Sequence, residues 1–346
     1  MALKMDPASV QAQREGMEKA IVEGLEYIGP CPPQLGETWI DIPLPDGQTN
    51  PTKVVWPKSS GEPPLQCPLI VYFHGGGLSM GNPDMMVAPA RGVASMLSCV
   101  VACPTLNQLP EQMFPAPVRM AWETCAWLSD AKNLNDGVLK DAGTSVDLGR
   151  GFVVGGLSSG AAAAAVIGTI PGAAAAGVQD FAGLFGLKSP ITGIFSGIPF
   201  MITEDMLPAQ YRDIFKSREE TAEGQAAAGA MRMELEPYLG VHSPWFSPIN
   251  LDLSNPKVTQ GHPPKVFIYG GQLDQFRDDS VIYSKWLSQL GGVEVRASVL
   301  EGADHSSAWV SLSWPSCHDR KVKEETLDGM AWLLNREWDR NQDLPI

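Results

Sequence analysis

The chain has 346 residues, 44% of them hydrophobic and 18% charged, so it can bury a sizeable core and is not a disordered polymer. A net charge of −14 argues against a nucleic-acid partner and against an anionic membrane surface. The opening Met1-Ala2-Leu3-Lys4-Met5-Asp6-Pro7 lacks the apolar run of a secretory signal, and the six cysteines show no Cys-x-x-Cys spacing, so a reduced, cytoplasmic setting is expected.

Asp6-Pro7 predicts a helix start, because Asp can cap and Pro suits the first helical position. Val10, Met17, Ile21, Leu25 and Ile28 then recur at near-helical spacing up to the breaker cluster Gly29-Pro30-Cys31-Pro32-Pro33. Such an amphipathic helix is expected to pack on the body of the protein, with a share in a lid as the alternative. Strands are predicted at 38–42, 52–56, 69–73 and 99–103, with a helix at 85–97 between the last two and another at 118–128. The first two strands, joined near Asp46-Gly47, read as an antiparallel start. Cys99 and Cys103, on the fourth strand, read as core thiols rather than metal ligands.

Gly151-Phe152-Val153-Val154-Gly155 predicts a short buried strand, followed by Ala-rich helix from Ser158. The run 160–178 is interrupted by Pro171 and is a poor membrane span. Further strands are expected at 191–196, 265–269 and 294–300, with helices at 279–290 and 323–339. Strands alternating with helices imply a mainly parallel sheet covered on both faces. Residues 200–245 break that alternation, with an Ala-rich helical stretch at 225–231 and several Met and aromatic residues, and read as a cap insertion that shapes a pocket.

The chemistry begins at His74-Gly75-Gly76-Gly77, directly after the apolar run ending at Phe73. A glycine loop at a strand end can offer bare N–H groups to a developing negative charge, as an oxyanion hole does. Gly-x-Ser-x-Gly then occurs twice, around Ser79 and around Ser158. The nucleophile needs a sharp strand-to-helix turn, and only Ser158 lies between a strand (Phe152-Val153-Val154) and a helix (from Ala161). Ser79 runs into the loop Gly81-Asn82-Pro83-Asp84. The N–H of Ser159, next after the nucleophile, is a further oxyanion donor.

Of the five histidines, His305 follows the last strand and so lies at its carboxyl end, where open α/β sheets carry their chemistry. His318 is the alternative base, while His74 is expected to shape the glycine loop together with Gly77. Asp274 is the first acid after the strand 265–269, and Asp278 and Asp279 are expected to start the next helix. The order Ser158, Asp274, His305 is the chain order of an α/β-hydrolase triad.

Four blocks now stand in one order: His74-Gly-Gly-Gly, Leu109-Pro110-Glu111-Gln112-Met113-Phe114-Pro115-Ala116, the elbow at Ser158, and Asp274 through Arg277-Asp278 to His305. Over residues 65–310 the chain resembles the hormone-sensitive-lipase-like carboxylesterases of the α/β-hydrolase fold. The resemblance implies a mostly parallel eight-stranded sheet with helices on both faces and a helical cap. The chain would divide into an N-terminal helical cap segment (1–37), a catalytic core (38–199 and 247–346) and a cap insertion (200–246). It also implies a small-molecule ester as substrate, with no cofactor, metal or nucleic acid and no membrane span, and leaves a homodimer open. Departures are visible at the elbow, usually Gly-Asp-Ser-Ala-Gly-Gly in the family: Leu157 replaces the Asp, Ser159 the Ala and Ala161 the last Gly. The altered elbow and an apolar cap (Phe195, Phe200, Met201, Met206, Phe215, Trp245, Phe246) keep open an acyl transferase or cyclising enzyme using the same triad. A non-catalytic receptor is disfavoured because all three triad residues are present. The glycine loop is not a Gly-x-Gly-x-x-Gly fingerprint, and the histidines and cysteines lack zinc spacing.

Overall fold

Alternation along the fourth strand shows how the sheet is buried. In this computed structural model, which describes residues 7–106, 108–225 and 240–345, β4 (Leu69–Phe73) places Leu69, Val71 and Phe73 in one hydrophobic cluster and Ile70 and Tyr72 in another. A strand buried on both faces needs apolar residues at every position, and β4 has them. The clusters lie on opposite sides of an eight-stranded sheet, ordered β1 (Leu35–Pro43), β2 (Thr49–Pro57), β5 (Val100–Pro104), β4, β7 (Phe152–Leu157), β8 (Gly193–Gly197), β9 (Lys265–Gly271) and β10 (Glu294–Leu300).

The first two strands pair antiparallel, as Asp46-Gly47 suggests, and β2 joins β5 antiparallel; from β5 to β10 every neighbour is parallel. β3 (Leu65–Cys67) and β6 (Thr144–Val146) make a separate two-stranded parallel ladder that the sequence reading does not include. At three residues each they are too short to show an alternation.

Helices cover both faces. Side chains of α3 (Ala116–Leu128), α5 (Ser159–Ala175) and α7 (Arg277–Leu287) enter one cluster, while α1 (Pro7–Ile28), α2 (Val87–Leu97) and α8 (Arg320–Leu333) serve the other. α4 (Lys132–Asn135) and α6 (Ser217–Glu220) are short helices of four residues each. The expected cap at Asp6 lies outside the described residues, and α1 packs through Ala20 and Ile21. The Ala run of α5 is buried almost all round, as a core helix must be, and the helix continues through Pro171 to Ala175 rather than breaking there. Pro171 falls in the last turn and a half, so few hydrogen bonds depend on it. The last helix stops at Leu333, short of the predicted 339, where Asn335 turns left-handed with φ 52°.

Between β8 and β9 the described residues form short helical turns at Glu204–Met206, Ala209–Ile214 and α6 rather than long helices. Of the Ala-rich 225–231, only Gln225 lies within the described residues. Phe195 belongs to β8, not to the insertion: it packs against Tyr72, Phe267 and Tyr269 in the core. No helix among the described residues is long and apolar enough to cross a membrane. All six cysteines are free, and Cys99 and Cys103 are buried thiols whose proton affinity burial raises.

Candidate active site

Four loops converge at the carboxyl ends of the parallel strands: His74–Gly77 after β4, Ser158 after β7, Asp274 after β9 and His305 after β10. Side chains far apart in the chain meet there because adjacent parallel strands all end on the same side.

Ser158 sits between β7 and α5 with φ 53° and ψ −117°, a conformation L-residues rarely adopt. Such a backbone costs of order 1–3 kcal/mol and persists only where its surroundings over-determine it. Its N–H donates to the Gly197 carbonyl at 2.9 Å, and its own carbonyl accepts the first helical N–H, from Ala162, at 3.1 Å. The flanking glycines are required by contact. A Cβ on Gly156 would overlap the carbonyl of Gly160, and one on Gly160 would overlap the carbonyl oxygen of His74. The elbow therefore closes tightly on itself and on the end of β4.

Ser158 Oγ lies 3.0 Å from His305 Nε2, and His305 Nδ1 lies 3.0 Å from Asp274 Oδ2. Asp274 is fully buried, and its second oxygen accepts the Phe276 N–H at 2.7 Å. The His305 side chain keeps 26% of its exposure. Burial pulls its proton affinity down, but the Asp274 carboxylate, with Glu223 and Asp279 adding to it, leaves it above the ordinary histidine value. Asp304, next to His305 in the chain, accepts the hydroxyls of Ser306 and Ser307 at 2.7 and 2.9 Å and so shapes the loop.

The glycine loop abuts the elbow. A Cβ on Gly75 would lie 3.3 Å from Ser158 Cβ, and Gly76 and Gly77 adopt φ of 111° and 62°. Among the described residues the N–H groups of Gly75, Gly76 and Ser159 have no protein acceptor. The N–H of Ser159 is free because it opens a helix. His74 is buried, and burial lowers its proton affinity to about 4. Its Nε2 accepts the Leu106 N–H at 3.1 Å, so Nδ1 carries the proton and donates to the Gly75 carbonyl at 2.7 Å. Both ring nitrogens thus brace backbone, in keeping with a loop-shaping part. Ser79 lies in the loop, its hydroxyl donating to the Gly76 carbonyl. His318 Nε2 contacts the Leu312 carbonyl at 2.8 Å and its ring lies tilted against Tyr27; among its described contacts is neither Ser158 nor Asp274.

Asp278 and Asp279 do lie in the first turn of α7, but they also fasten the insertion. Asp279 accepts the N–H groups of Met201 and Ile202 and pairs with Arg218, while Asp278 accepts those of Lys216 and Ser217 at 2.6 Å. Against Gly77 and Ser159 a narrow pocket of about 20 Å³, room for roughly one water, is lined by Leu78, Phe114, Val118, Phe200, Trp245 and Phe246 among others.

The family model described as alpha/beta hydrolase fold matches residues 70–308. The chain belongs to the α/β-hydrolase fold family, in its hormone-sensitive-lipase-like branch. It is 25% identical over 262 residues to esterase LipI of Mycobacterium tuberculosis, covering 73% of this chain and 69% of that one. A shorter match, 31% identical over 86 residues, covers 25% of this chain and 26% of carboxylesterase NlhH from the same bacterium. Among solved structures, vibralactone cyclase superposes with a TM-score of 0.73 at 22% identity over 97% of this chain and 92% of that one. An esterase of Pyrobaculum calidifontis superposes with a TM-score of 0.67 at 22% identity, covering 96% and 94%. These structural likenesses bear on the fold.

Two contributors escape sequence reasoning. Glu223, in the insertion, accepts the His305 N–H at 3.2 Å, and Arg14, on α1, donates to the Ser79 carbonyl at 2.8 Å. Both act on main-chain atoms of distant loops, which leave no mark in a side-chain pattern.

Proposed function

We propose that this chain is a serine carboxylesterase acting through an acyl-enzyme on small or medium esters. The observation that carries the reading is the continuous contact from Ser158 Oγ through His305 to Asp274, at 3.0 Å in each step. In this mechanism His305 Nε2 takes the hydroxyl proton as Ser158 attacks the ester carbonyl, and Asp274 holds the ring and offsets its charge. The N–H groups of Gly75, Gly76 and Ser159 receive the oxyanion, each worth about 3 kcal/mol in the transition state. His305 then protonates the leaving alcohol, and water, deprotonated by the same histidine, releases the acid. The names of the relatives, esterase LipI and carboxylesterase NlhH, support the ester as substrate.

Turnover of a series of p-nitrophenyl esters, with labelling by a fluorophosphonate, tests the reading. Stoichiometric labelling and hydrolysis of short esters are expected. A folded protein that neither labels nor turns over would favour a binding role instead.

A second reading uses the same triad with an acceptor other than water. It draws on the aromatic and aliphatic lining of the pocket next to Gly77 and Ser159, which suits an apolar acceptor better than water. Product analysis in the presence of a competing alcohol separates the two: the acid alone argues for hydrolysis, a new ester for transfer.

A further inference from the structure

Glu223 touches both halves of the acid–base pair without being part of it. Its Oε1 accepts the N–H of His305 and its Oε2 accepts the N–H of Gln275, the residue after Asp274, each at 3.2 Å. One carboxylate from the insertion therefore joins the main chain of the base to the loop of the acid. We propose that Glu223 is a positioning residue, through which the insertion holds His305 aligned with Asp274 and Ser158. The proposal rests on the triad reading above and adds a part for the insertion in catalysis.

The surroundings of Glu223 are built to deliver it. Arg218 fastens the segment to the acid loop, donating to the Gln275 carbonyl at 2.9 Å, to the Ile202 carbonyl at 2.9 Å and to Asp279 at 2.5 Å. The same guanidinium lies 4.6 Å over the Phe215 ring and 4.8 Å over that of Phe276, whose edge in turn meets His305 at 4.9 Å. Thr221 ties the turn, its hydroxyl accepting the Gly224 N–H at 3.1 Å and donating to the Ser217 carbonyl at 2.7 Å. Gly224 is a fitted position, since a Cβ there would overlap the Arg218 backbone. Arg218 and Thr221 thus hold the turn that carries Glu223 against the two loops it bridges.

Charge points the same way. The charges that act on His305 are Asp274 from the acid loop, Glu223 from the insertion and Asp279 from α7; Arg218 is paired with Asp279, and Asp304 precedes His305 in its own loop. Arg218 is already engaged with Asp279, so Glu223 acts on the imidazolium as a net negative neighbour. Removing that charge favours the neutral ring and moves the acidic limb of activity to lower pH.

Glu223→Gln and Glu223→Ala in the full chain test this, with kcat, KM, the pH profile of kcat/KM, melting temperature and fluorophosphonate labelling as readouts. The misaligned base in Glu223→Ala is expected to lower kcat about tenfold with KM within about twofold. Glu223→Gln keeps one acceptor oxygen, so it should retain more of kcat, yet shift the acidic limb down as far as Glu223→Ala does. Folded variants with wild-type kcat and an unmoved acidic limb would overturn the proposal. Should Glu223→Ala fail to fold, the near-isosteric Glu223→Gln decides alone, by the same criterion. Ser158→Ala is run alongside: if it stays active the triad reading fails, whereas an inactive Ser158→Ala beside wild-type-like Glu223 variants defeats only this proposal.

Discussion

Arg14 and Glu111 meet through two 2.7 Å contacts, and the same guanidinium reaches the carbonyls of Ser79 and Leu109. The N-terminal helix is thereby tied to the loop that continues from Gly75, Gly76 and Gly77. Arg14→Ala should leave stability within about 1 kcal/mol, because the Glu111 side chain is 60% exposed and such pairs are weak. Its effect should appear instead in kcat, lowered about three- to tenfold by looser oxyanion donors. Arg14 lowers the Glu111 carboxyl to about 2, so the tie persists above that pH and loosens only as pH falls through it. The ratio of mutant to wild-type kcat should therefore be the same at pH 6 and pH 8, checked by steady-state kinetics in both buffers.

The pH dependence follows from His305. Its proton affinity is raised above the ordinary 6.5, so the working neutral base is lost on acidification through a value higher than 6.5. Stability runs the other way. A raised native pKa means that the protonated ring stabilises the fold below the unfolded pKa, and that this contribution fades as pH rises through the native one. A pH profile of kcat/KM checks the first statement, and an acidic limb below 6.5 would contradict it.

The fully buried Asp279 accepts two backbone N–H groups and the Arg218 guanidinium. Asp279→Ala strands all three donors and should cost about 3 kcal/mol, the scale for breaking a buried pair. Urea unfolding would show it as a lower midpoint at unchanged slope.

Phe200 lines the pocket and packs on Phe246 and Phe276. Phe200→Ala should open room for longer acyl groups. The preference for octanoyl over acetyl ester is expected to rise at least about tenfold in kcat/KM, the scale of one methylene's worth of pocket contact.

Much of this was legible because the relevant residues carry local context. Ser158 is separated from Ser79 by what flanks it, a buried strand and a run of Ala, and the structure puts Ser79 in a loop. His305 and Asp274 are marked by standing after strands that are strongly apolar or alternating. The limits have a physical cause as well. β3 and β6 are too short for a period to show, and α5 runs on through Pro171 because burial of its Ala and Ile residues outweighs a local breaker. Glu223 and Arg14 look like ordinary surface charges in sequence, since only the folded chain brings their backbone partners within reach.

The most direct test is the turnover of Ser158→Ala on a short p-nitrophenyl ester, with wild type and Ser79→Ala measured beside it. Removing the nucleophile should reduce kcat at least about ten-thousandfold and abolish fluorophosphonate labelling, while Ser79→Ala still labels. Wild-type turnover by a folded Ser158→Ala would contradict the account.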